Sequence, residues 1–146
     1  MQQMKILLIL LIANQSILHS QCKDLDIGVF ETLEVETKVK STVLKSRKFQ
    51  LKTIHDFKDI FIVSRIRWIS DCEYEIYDIK SDYLPPFINN ETIYRYKIID
   101  SDSTTYEVDI YENEEKVISG QKFKRIKDTI IGDFDNKLEE YYKIKQ

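Results

Sequence analysis

The side chains able to carry chemistry in this chain are few and widely spaced. Cys22 and Cys72 are the only cysteines, and His19 and His55 the only histidines. Cys72 with His55 is the one nucleophile–base combination the sequence offers. A second cysteine makes oxidation the expected state of that thiol in an exported chain. His55 stands in the polar run "IHDFKD", where a solvated imidazole is expected. So small a set of histidines and cysteines makes no zinc site. Glu73 and Glu75 share an outward strand face, ~7 Å apart by strand rise. That spacing suits paired-carboxylate chemistry, but Arg65 and Arg67 lie just across a turn and mark them as ion-pair partners. "YENEE" and "DSDSTT" hold oxygen ligands for weak calcium binding and read as turns. No glycine-rich phosphate loop occurs. The expectation is a non-enzymatic protein with no catalytic residue, no metal set and no cofactor.

What the chain has in excess is aromatic surface: nine tyrosines, seven phenylalanines and one tryptophan in 146 residues. Trp68, Tyr74, Tyr94, Tyr96 and Tyr106 fall on inward-facing strand positions and are the candidate ligand-binding residues. Either they line a barrel mouth that holds a small apolar ligand, or they fill the core of a narrow barrel.

These positions depend on the elements that carry them. The composition is globular, with 42% apolar residues, three glycines and two prolines. The net charge of −3 is interleaved along the chain with no basic block, which excludes nucleic acid as a partner. The opening segment has Lys5, then an apolar run from Ile6 to Ala13, then a polar, small-residue exit. That is the layout of a secretory signal peptide over residues 1–20, leaving residues 21–146 as one β-rich domain in the periplasm or outside the cell. No run is long enough to span a membrane as a helix.

Export favours a Cys22–Cys72 disulfide. Lipidation of Cys22 and free thiols are the alternatives. "LHSQC" is a poor lipobox, with His19 and Gln21 where Leu and a small residue are favoured.

Period-two alternation runs through the rest. Val29, Glu31, Leu33 and Val35 share one face of a first strand, with Gly28 ahead of Phe30. Val39 and Val43 then oppose Lys38, Lys40 and Thr42, and Phe49, Leu51 and Thr53 oppose Gln50, Lys52 and Ile54. "IFIVSRIRWIS" is the longest strand, with Ile60, Ile62, Ser64, Ile66 and Trp68 on one face. A turn at Ser70–Asp71 returns "CEYEIYDI" with Cys72, Tyr74 and Ile76 inward, so that Trp68 and a sulfur bridge can pack together. "SDYLPPFINNET" is a loop. Three strands follow, the last split by Gly120. In the tail, Phe134, Leu138 and Tyr141 predict an amphipathic helix. The whole is mainly β: an antiparallel meander of about eight strands, barrel or sandwich, with a short C-terminal helix.

"CKDLDIGVF" followed by "RIRWISDCEYEI" resembles a family of small exported bacterial proteins of unknown function. The shared pattern is Cys, then Gly-x-Phe, then Trp-x-Ser-Asp-Cys-x-Tyr, matched by Cys22, Gly28, Phe30, Trp68, Ser70, Asp71, Cys72 and Tyr74. The resemblance covers the first half of the mature chain and implies a Cys22 inside the folded domain. Some members carry a DNA topoisomerase name, which a signal segment and a chain this short do not fit. A looser similarity to lipocalin-like barrels rests on the Gly-x-aromatic strand and the meander. Two functions are expected: an exported protein binding a small hydrophobic ligand in its barrel, or an envelope interaction or structural module working through its outer face or terminal helix.

Overall fold

The computed structural model describes residues 22, 24–34, 38–55, 59–84 and 88–145. The expected signal segment lies outside these residues, as do Val35 and the centre of the "HDFKD" turn. Eight strands run β1 (Gly28–Leu33), β2 (Lys40–Lys45), β3 (Phe49–Ile54), β4 (Ile60–Ser70), β5 (Glu73–Ser81), β6 (Tyr94–Ser101), β7 (Thr105–Glu112) and β8 (Glu115–Lys127), followed by helix α1 (Phe134–Ile144). Each strand pairs antiparallel with the next, and β1 pairs with β8, so the sheet closes into a barrel. Closure removes the free edges that a sandwich would leave.

Gly28 permits that closure. Its φ is +147°, and a Cβ there would sit 2.5 Å from the Lys127 carbonyl oxygen. The β7–β8 hairpin turns on Asn113 and Glu114, both at positive φ, the backbone that a two-residue primed turn demands. Gly120, at φ +69°, marks the expected irregularity in β8. The Asp109 carboxylate accepts from its N–H at 3.1 Å and pairs with Lys116 at 2.8 Å, which holds the Asp109 carboxyl below its ordinary range.

A disulfide joins Cys22 to Cys72, with Cα atoms 5.1 Å apart. It ties the segment before β1 to the β4–β5 turn. Cys22 and Leu25 are fully buried with Phe30, Val43 and Tyr106. Trp68 packs in the neighbouring cluster, on Tyr74 at 4.8 Å between ring centroids. The indole thus makes ring-on-ring contact across the hairpin whose turn carries Cys72.

Strand alternation holds, with two corrections. On β3, Gln50 and Ile54 are buried, yet Phe49 on the opposite face is buried as well. Helix α1 covers that outer face, packing Phe134, Leu138 and Tyr142 on Phe49 and Val63. The fully buried third anchor is Tyr142, at i+8, while the expected Tyr141 packs half-buried against the same cluster. Tyr142 stacks on Phe49 at 5.8 Å and donates to the Asp78 carbonyl at 2.6 Å. The second correction concerns charge pairing. Arg67 pairs with Glu75 at 2.5 Å, as expected. Arg65 pairs instead with Asp78 at 3.2 Å, because Asp78 sits at φ +49° in an irregular stretch of β5 that shifts the register. Glu73 faces Arg95 on β6 at 3.3 Å.

Candidate functional site

An antiparallel meander sends its connections alternately to the two ends of the barrel. The β2–β3, β4–β5 and β6–β7 turns share one end with the segment before β1. The disulfide and Leu25 close that end. The other end, bordered by the β5–β6 connection and the β7–β8 hairpin, opens into the interior.

Just inside the closed end lies a group that alternation alone places there. Lys45 ends β2 on the same face as Val43, and it is 0% exposed. Its ammonium nitrogen lies 4.6–5.5 Å from the ring centres of Phe30, Trp68, Tyr74 and Tyr106 and donates to the Tyr106 hydroxyl at 3.0 Å. Among the described residues it makes no ion pair. Burial pushes its pKa down to about 7, against the attraction of Asp26 and with help from Arg125. The same burial raises the Tyr74 and Tyr106 phenols.

Above this floor the interior opens into a cavity of about 410 Å³, within the size range of small-molecule sites. The two ring layers meet there: Tyr74 stacks on Tyr96 at 5.0 Å and Tyr106 on Phe123 at 4.8 Å, and Tyr96 and Phe123 line the cavity. Its walls differ. From β4 round to β7, Ile62, Ile76, Ile79 and Ile110 are buried and apolar, joined by Ile88 and Ile118 nearer the mouth. From β8 through β1 and β3 to Ser64 of β4, the lining is Gln121, Thr32, Gln50 and Ser64, all buried. Gln121 donates to the Thr32 hydroxyl, while the Gln50 side-chain carbonyl has no hydrogen-bond partner among the described residues. At the mouth, Lys52 pairs with Glu34 at 2.8 Å and Glu112 accepts from Thr92 at 3.2 Å.

The structure therefore divides the five aromatic candidates by depth. Tyr94 and Tyr96 line the cavity. Trp68, Tyr74 and Tyr106 surround Lys45 beneath it. Lys45, Gln50 and the isoleucines were not singled out in the sequence. Lys45 shares its parity with Val39 and Val43, which is the signal that marks it.

The other chemical candidates do not assemble. Cys72 is oxidised at the closed end, while His55 sits at the open end, exposed, 2.7 Å from the Thr42 hydroxyl. Glu73 and Glu75 are each engaged by an arginine. The Asp102 carboxylate accepts from the Thr104 and Thr105 N–H groups at 2.8 Å each, capping its own turn and lowering its pKa. Among the described residues no three acidic, histidine or cysteine side chains cluster as metal ligands, and no helix is long and apolar enough to cross a membrane.

No protein-family model matches the chain, and no curated protein matches it.

Proposed function

We propose that this chain is a non-enzymatic exported binding protein that holds a small hydrophobic ligand inside its barrel, in the manner of lipocalin-like carriers. The observation that carries this reading is the cavity of about 410 Å³, open at one end and walled on one side by isoleucines. A domain of this size has little stability to spare, and side chains that filled the space would add to it. Retained volume argues for an occupant. Burial of a ligand's apolar surface there would contribute roughly 25 cal/mol per Å². Export belongs to the same reading, supported by the Cys22–Cys72 bridge, since such bonds persist in oxidising compartments.

Titration of the disulfide-bonded protein with the uncharged fluorophore N-phenyl-1-naphthylamine tests the proposal. Saturable binding at one site per chain is expected. Ile118→Trp, which projects an indole into the cavity from a half-buried lining position, should abolish binding and leave the unfolding transition in place. Equal binding by the Trp variant, or none by the wild type, refutes the reading.

A further inference from the structure

We infer that the barrel selects an uncharged amphipath, an apolar body bearing a hydroxyl group, over fatty-acid anions and alkylammonium cations. The inference rests on the ligand-binding reading above and names the class of molecule the cavity takes.

The first observation is the asymmetry of the interior. Isoleucines from β4 to β7 face a strip of uncharged hydrogen-bonding side chains on the opposite wall, with Gln50 and Ser64 in direct register across β3 and β4. A cavity made for hydrocarbon alone would carry a desolvation penalty for that strip and gain nothing from it. Gln50 is 5% exposed, and among the described residues its side-chain carbonyl oxygen has no hydrogen-bond partner. A buried acceptor in that state costs about 1–3 kcal/mol, and a turn of the Gln50 amide toward the cavity it lines would let a ligand hydroxyl donate to it and remove the deficit.

The second observation is where the charges are. An anionic head group needs a cation that is free to meet it. Among the described residues lining the cavity, Lys52 is the only basic side chain, and it is engaged by Glu34 at 2.8 Å. Lys45 lies below the tyrosine layer and does not line the cavity. The mouth carboxylates oppose an anion further. A cationic head group seated at depth meets neither of them, since Glu34 holds Lys52 and Glu112 stands at the mouth, away from Gln50 and Ser64. What the interior offers at depth is hydrogen bonding without charge.

Displacement of bound N-phenyl-1-naphthylamine by three compounds of one chain length, a primary fatty alcohol, the fatty acid and the alkylamine, tests the assignment at slightly alkaline pH. The alcohol is expected to displace the probe at a concentration at least about tenfold below either charged homologue. Gln50→Leu, with the probe's affinity for the variant measured first and used to normalise, should weaken the alcohol about fivefold and leave the acid and the amine as they were. An acid or amine that competes as well as the alcohol overturns the inference, as does a Gln50→Leu protein with the alcohol's advantage intact. In both cases the probe still binds, so the ligand-binding reading survives. Failure of the probe to bind at all is the separate result that removes that reading.

Discussion

Lys45 makes the stability of this barrel depend on pH in an unusual direction. Burial lowers its pKa from 10.5 to about 7, so the folded protein resists holding the proton that the unfolded chain keeps until about pH 10. Below about 7 both states carry the charge, and the folded state bears the full burial penalty. As pH rises from there toward 10.5 the folded lysine is neutral while the unfolded one still binds its proton, and stability climbs. At 1.36 kcal/mol per tenfold change in proton affinity, the gap corresponds to about 5 kcal/mol. The four ring faces return roughly 1–2 kcal/mol to the charged form. A net penalty of about 3 kcal/mol remains, relieved as pH rises toward 10.5, about 2 kcal/mol of it by pH 9.5. Above about pH 10 the raised phenols of Tyr74 and Tyr106 act the other way, since the unfolded chain loses those protons first. Lys45→Met removes the charge and keeps the volume. It loses the Tyr106 hydrogen bond, worth about 1 kcal/mol, and is expected to be about 2 kcal/mol more stable than wild type near pH 6, with a flat profile up to pH 9.5. Urea unfolding followed by Trp68 fluorescence at several pH values measures both quantities. A wild-type profile that is flat across this window, or a Met variant less stable than wild type near pH 6, refutes the reasoning.

Other outcomes follow from features of the fold. Intact mass after alkylation under native conditions should show no free thiol, and reduction of Cys22–Cys72, which closes a loop of 50 residues, should lower stability by about 4 kcal/mol in the chain-entropy model. Gly28→Ala should destabilise by about 2–4 kcal/mol, because its Cβ would meet the Lys127 carbonyl at 2.5 Å. A denaturation midpoint within error of wild type would contradict the closure geometry. Leu138→Ala, on the barrel-facing side of α1 and 8% exposed, should cost about 2–4 kcal/mol, and earlier proteolysis of the helix than of the barrel should accompany it.

Alternation along the chain made the strands legible, together with the inward set on β4 and β5, because a half-buried pleat writes its two faces directly into the sequence. It did not reveal depth. Tyr96 and Tyr106 alternate identically, yet one lines the cavity and the other lies under it, since position along the barrel axis depends on stagger between strands that are distant in sequence. Lys45 was legible by parity and masked by its residue type, because lysines are almost never fully buried. On β3 the period failed to say which face was inside, since Phe49 and Leu51 meet α1 from a remote part of the chain. The deeper burial of Tyr142 than of Tyr141 has the same origin. The Asp78 irregularity, which moves Arg65 to a new partner, had no turn residue to announce it.

The sulfur link at the β4–β5 turn makes the barrel a vessel corked at its base. Among the described residues the opening lies at the other end, framed by Ile88 and the Glu34–Lys52 pair, and the proposed ligand would enter there. Residence time inside is then decided at that threshold, far from the cork that keeps the vessel sealed.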